Sequence, residues 1–171
     1  SVLAKHLEKN YEFTVECNPE FINQNQIDVF KKYKVNRISL GVQSRNSKIL
    51  KDFNRAHTNV QVDKAIKLLQ QNNINNISVD FIYGYHKMTT ADIEQDIKYL
   101  IDYHLPHVSF YSLELKPNSK LNKSKYKLDE ELIDKQFAYI IKRLKDLKYT
   151  RYEISNWCIN NKYQSQHNLA Y

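Results

Sequence analysis

Four short apolar runs alternate with stretches of helical periodicity, and each run closes on polar residues. They are Phe13-Thr14-Val15-Glu16, Ile38-Ser39-Leu40-Gly41-Val42-Gln43, Ile77-Ser78-Val79-Asp80 and Val108-Ser109-Phe110-Tyr111. Consecutive parallel strands need a crossover of a dozen or more residues, so this spacing predicts a parallel β/α architecture. The strands are expected over about 11–16, 37–42, 77–83 and 107–113. Between them, Ile27, Val29, Phe30 and Tyr33 mark a helical stripe, and a short helix falls near 47–53. Val62, Ile66 and Leu69 form the inward face of a longer helix with Asn59 as its N-cap. Thr89-Thr90-Ala91-Asp92 has capping-box spacing and opens a helix with Ile93, Ile97 and Leu100 at core positions.

A long helix is expected over 129–147. Its acidic first turn, Asp129-Glu130-Glu131, suits the positive end of the helix dipole, and Ile133, Phe137, Ile140, Ile141 and Leu144 share one face. A fifth strand-like stretch at 150–154 precedes an irregular polar tail, and the charged amphipathic segment 1–9 reads as an opening helix. A closed eight-stranded barrel takes roughly 250 residues. A chain of 171 residues is therefore expected to be an open sheet, a partial barrel, or a piece of a larger barrel, and the missing initiator Met favours the piece.

In barrels of this type, residues at the carboxyl ends of strands face the active site, which makes Glu16, Gln43 and Asp80 site candidates. Asp80 stands in an otherwise apolar strand, where an unpartnered carboxylate is expensive, so it must meet donors, a cation or a polar ligand. Arg55 could clamp a carboxylate bidentately. Together these four suit a ligand with an amine, hydroxyls and a carboxylate, such as an amino-acid nucleoside. The chain has two glycines. Gly84 reads as a strand-end turn, and Gly41 as a close approach of either a ligand or barrel packing.

The net charge of +7 changes this picture little. Lys, Asn, Ile and Tyr are abundant while Gly and Pro are scarce, the mark of A/T-rich codons, so no nucleic-acid partner is expected. The densest basic stretch, Lys116 to Lys127, reads as a solvated loop, with peripheral contact to an acidic membrane as the alternative. No run reaches membrane-spanning length, no signal peptide is visible, and two cysteines fit a reducing cytoplasm. Cys17 and Cys158 form no metal motif, and Cys17 is expected to pack in the core. His57 and His167 stand in polar surroundings where a metal or heme could be ligated, although a lone histidine more often has a packing role.

Read in series, the local strings resemble successive blocks of the HemW/HemN radical-SAM family. The blocks are Glu16-Cys17-Asn18-Pro19, Asn36 through Ser44, Asn54-Arg55-Ala56-His57, Asp80 through Gly84, Ser109 through Leu113, Tyr152 through Asn156 and Ser165 through Tyr171. The Arg55-Ala56-His57, Tyr152–Asn156 and His167–Tyr171 blocks resemble the heme-chaperone branch more than the coproporphyrinogen dehydrogenase branch. The resemblance implies a partial (β/α)6 barrel, here about four of its parallel strands plus a following helix and strand. It also implies S-adenosylmethionine bound against a [4Fe–4S] cluster.

The family's contacts to S-adenosylmethionine fall on Glu16, Gln43, Arg55 and Asp80, with Glu114 beside the ligand where the dehydrogenase branch has a small residue. The cluster's Cys-x-x-x-Cys-x-x-Cys motif is expected upstream of Ser1 and a further domain beyond Tyr171. Residues 1–171 thus read as the central and C-terminal part of a barrel core, unable to cleave S-adenosylmethionine reductively alone. His86 and Met88 replace the usual Pro and Gln, and Lys116 a frequent Glu. The implied function is a chaperone that binds heme, with His167 as heme candidate, and delivers it to a recipient hemoprotein. The alternatives are an oxygen-independent coproporphyrinogen III dehydrogenase and a basic β/α module that binds RNA.

Overall fold

The computed structural model describes residues 11–117, 120–124 and 126–170, so the expected opening helix at 1–9 lies outside the described residues. Strands β1 (Thr14–Cys17), β2 (Arg37–Gln43), β3 (Ile77–Tyr83) and β4 (His107–Ser112) pair in parallel in chain order. Helices α1 (Gln24–Lys32), α2 (Ser47–Asp52), α3 (Asn59–Gln71) and α4 (Thr90–Asp102) make the crossovers. Beyond β4 come α5 (Lys120–Lys123), α6 (Glu130–Asp146), β5 (Thr150–Arg151), β6 (Asn156–Cys158) and α7 (Gln166–Leu169). The sheet order is β1-β2-β3-β4-β6-β5.

The period-two pattern of the strands sets the layers. In register across the sheet, Ile38 and Ile77, Leu40 with Val79 and Val108, and Phe81 with Phe110 share one face, and all are buried in the helix-covered core. The other face is polar in matching rows. Ser39, Ser78 and His107 form one row, and Gly41, Asp80 and Ser109 the next. A strand read as an apolar run is thus two-faced, apolar toward the helices and hydrophilic toward the concave side.

Several sequence expectations need correction. α3 is capped by Thr58, whose hydroxyl accepts from Gln61 N in a reciprocal capping box, so Asn59 is the first helical residue and not the cap. A Thr reaches its N3 amide there, whereas the Asn59 side chain donates to Arg45 O. On α1, Ile27 and Phe30 are buried, but Val29 (45% exposed) and Tyr33 (40%) face out. The first strand starts at Thr14 instead of about Tyr11, and β4 ends at Ser112.

The largest difference concerns 150–158. The expected fifth strand is only Thr150–Arg151, and the tail contains a second strand, Asn156–Cys158, which inserts antiparallel between β4 and β5. Trp157 explains the insertion. Its register opposite Val108 puts the indole into the core against Phe110 and Phe137, with the Arg151 guanidinium 5.1 Å from the Phe137 ring. One Trp in a polar segment is too little periodic signal to reveal a three-residue strand.

Candidate functional site

The carboxyl ends of β1–β4 open onto a cavity of about 850 Å³, and its lining includes Glu16, Gln43, Arg55, Asp80 and Glu114. All five sequence-predicted residues therefore border one space. Glu16 is the last residue but one of β1, Gln43 ends β2, Asp80 lies on β3, Glu114 follows β4, and Arg55 sits on the loop after α2. Glu16, Arg55 and Glu114 are exposed there, and among the described residues none of these three side chains is engaged in a hydrogen bond or ion pair.

Gln43 is presented by unusual backbone. A register shift between Gly41 and Gln43 marks a bulge, φ of Gln43 is +68°, and Ser44 N donates to Val42 O at 2.9 Å across it. Such an i→i+2 turn at positive φ is rare and strained. Gly41 is the complement of this turn, because a Cβ there would lie 2.8 Å from Gln43 Nε2. The absent side chain leaves room for the amide, so the close approach foreseen at Gly41 is by a neighbouring side chain of the site.

Asp80 accepts from Ser39 Oγ at 2.9 and 3.1 Å through its two carboxylate oxygens. Burial pushes its pKa up to about 6, helped by the negative charge of Glu16 and opposed by Ser39, Ser109 and Arg37. The carboxyl is thus poised to welcome a positive group or a donor.

The histidines separate. His57 is buried, its Nε2–H donates to Val42 O at 3.0 Å, and Nδ1 lies 3.6 Å from Glu20. It is a structural residue, as the packing reading expected, and its place below the Gln43 turn gives the Arg55-Ala56-His57 spacing a physical meaning. His167 is on α7 beside a second, smaller cavity of about 40 Å³ that shares Glu16, Asp80 and Tyr111 with the main one. Glu12 holds the start of that helix by accepting from Ser165 Oγ (2.9 Å) and Gln166 N (3.0 Å). Tyr171 lies outside the described residues.

Cys17 packs partly buried against the core, and its thiol is pushed up to about 11 by burial and the charge of Glu16, which disfavours a nucleophilic role. Among the described residues no group of three or more His, Cys, Asp or Glu is placed to hold a metal ion, and no helix is long and apolar enough to cross a membrane.

Sequence reasoning missed Asp52, Tyr111, Lys116, Leu121 and Ser155, which also line the cavity. Tyr111 was discoverable, since it follows Ser109 by two positions on the polar face. Lys116 lines the cavity, although the stretch that carries it reads as a solvated loop. Asp52, which accepts from Tyr85 Oη and Lys87 Nζ at 2.9 Å, left no local signal.

A sheet of four parallel strands in chain order, linked by helices and opening at its strand ends onto a polar cavity, is the layout of a β/α barrel site. The family model described as Radical SAM superfamily matches residues 2–100. The chain belongs to that superfamily, and within it to the HemW/HemN group. The heme chaperone HemW of Lactococcus lactis subsp. lactis is 35% identical over 170 residues, covering 96% of this chain and 45% of that protein. HemW of Buchnera aphidicola subsp. Schizaphis graminum is 34% identical over 161 residues, covering 94% of this chain and 42% of that protein. The chain thus spans less than half the length of these curated relatives. The solved coproporphyrinogen III oxidase HemN from Escherichia coli, described as a radical SAM enzyme, matches with a TM-score of 0.79 at 17% identity, over 99% of this chain and 40% of that one. That likeness is one of fold, and it makes the sheet part of a barrel of the radical SAM kind.

Proposed function

We propose that this chain forms the S-adenosylmethionine-binding part of a HemW-like heme chaperone that acts in the cytoplasm. The observation that carries the reading is that Glu16, Asp80, Glu114, Gln43 and Arg55 border one cavity, with the side chains of Glu16, Arg55 and Glu114 unpartnered among the described residues. Arg55 suits the carboxylate of the methionine moiety through a bidentate pair. Glu16, Asp80 and Glu114 suit its ammonium, its ribose hydroxyls and the positive sulfonium. Gln43 offers both a donor and an acceptor. The described residues contain no ligand set for the family's [4Fe–4S] cluster, so the role assigned to them is binding. In the whole protein the cluster would be held by other segments.

Titration calorimetry with S-adenosylmethionine tests the reading. Saturable binding is expected, weakened about tenfold or more by Arg55→Ala, the loss for a charge-assisted pair of about 1.5 kcal/mol or more. Indifference to Arg55→Ala would remove the assignment.

The names of the curated relatives support heme as cargo to be passed to a recipient hemoprotein, and we assign His167, beside the smaller cavity, as the candidate residue that binds it. Heme added to the full chain is expected to give a shifted Soret band that returns toward free heme in His167→Ala. A band identical in both proteins assigns heme elsewhere. An anaerobic coproporphyrinogen assay separates the dehydrogenase alternative, for which turnover would speak.

A further inference from the structure

The turn that aims Gln43 is pinned from both sides. At its entry, Val42 O accepts from Ser44 N and from the buried His57 imidazole. At its exit, Arg45 N donates to Asp96 Oδ1 at 2.6 Å. Asp96 projects from α4 and is 0% exposed, and its Oδ2 is buried with no hydrogen-bond partner. A carboxyl in such a place loses its hydration for the bond from Arg45 N and a lesser interaction with the Ser44 hydroxyl, both on the segment that leaves the turn. An apolar residue would fill the position more cheaply, so the bond to Arg45 N is what the carboxyl is kept for.

Asn59 Nδ2 also holds this exit, donating to Arg45 O at 2.7 Å on the far side of the residue from the turn, while the remaining contacts fix side chains. Arg45 pairs with Asp63 at 3.0 Å and lies over Tyr99, and Asn46 Nδ2 donates to Asp92 Oδ1 at 2.7 Å. A Gln at φ +68° persists only where its surroundings over-determine it. Asp96 acts on the first amide beyond that turn, from the rigid side of the core.

We propose that Asp96 is a positioning residue for the cavity: it holds the strained turn that presents Gln43, and its loss weakens ligand binding through Gln43. The affinity part rests on the S-adenosylmethionine reading given above, whereas the part concerning the turn does not.

Two cycles in the full chain test this. Gln43→Gly relieves positive-φ strain and is expected to raise Tm by roughly 3 °C. In an Asp96→Ala background, where the turn has already relaxed, the same change adds nothing. An unchanged or lowered Tm in the parent, or an equal gain in both backgrounds, overturns the proposal. Asp96→Ser, too short to reach Arg45 N, serves if Asp96→Ala does not fold.

For S-adenosylmethionine, Asp96→Ala is expected to raise Kd about tenfold in the parent but less than about twofold once Gln43 is Ala. Asp96→Asn keeps the acceptor oxygen and restores parental affinity. Additive losses would overturn the proposal by showing that Asp96 acts through the fold at large. If the parent itself binds no S-adenosylmethionine, the ligand assignment fails, and the Tm cycle still decides the role of Asp96.

Discussion

Asp80→Asn is expected to make the protein more resistant to urea above pH 6 while leaving it nearly unchanged near pH 4. The carboxyl rises in the fold from an ordinary 3.8 to about 6. A raised acid binds its proton more tightly when folded, so its contribution is fully present below about pH 4 and is lost as the pH climbs through 6. The difference amounts to at most about 3 kcal/mol, because one pKa unit corresponds to about 1.36 kcal/mol. Asparagine keeps the shape and never ionises, so the stability gap between variant and parent should open between pH 4 and 7. Urea midpoints at pH 4, 6 and 7.5 measure it, and a gap flat in pH would show that Asp80 is not perturbed. The same variant should bind S-adenosylmethionine at least tenfold more weakly, since the acceptor charge is gone. Stability gained with affinity lost is the signature of a residue kept for a ligand.

Gly84→Ala carries the second large effect, a loss of about 3 kcal/mol. Gly84 has φ +89°, and an added Cβ would stand 2.7 Å from Ile133 Cγ1 on α6. Positive-φ strain and overpacking each cost about 1–3 kcal/mol. Neither can be relieved by a small shift, because Gly84 N donates to Gln136 Oε1 at 2.7 Å while Gln136 Nε2 donates to Met88 O. The buried Gln136 thus ties both ends of the 84–88 loop to α6. With a urea m-value of about 2 kcal/mol/M, the midpoint should fall by about 1.5 M. Adding Ile133→Ala relieves the clash, so the double variant should lose less than the two single losses combined. A single variant within about 0.5 kcal/mol of the parent would contradict this picture.

The legible parts of the fold were those written in periodicity. Alternation in Ile38–Gln43 and Ile77–Asp80 marked β2 and β3, and the Thr89/Asp92 spacing marked the start of α4, where Thr89 does accept from Asp92 N. The site was legible where strand ends placed it, at Glu16, Gln43 and Asp80, and Arg55 and Glu114 border the same cavity. What stayed hidden depends on contacts between distant segments. The inserted β6 is specified by the packing of Trp157, the backbone of Gln43 by the bulge, and the straps by Asp96 and Gln136. A residue such as Asp96, one turn along from the capping Asp92, reads as one more polar position until the loop it serves is folded against it.

The two-faced strands have a consequence for how this protein can change. Neighbouring positions on one strand answer to different demands: Leu40 and Val79 to the core, Asp80 to the cavity, and Gly41 to the Gln43 amide that borders it. Substitutions at the core parity alter only how firmly the chain folds, whereas those at the cavity parity, such as Asp80, alter what is bound and can add stability as they do so. Ligand preference can therefore drift at that parity without disturbing the packing of the other.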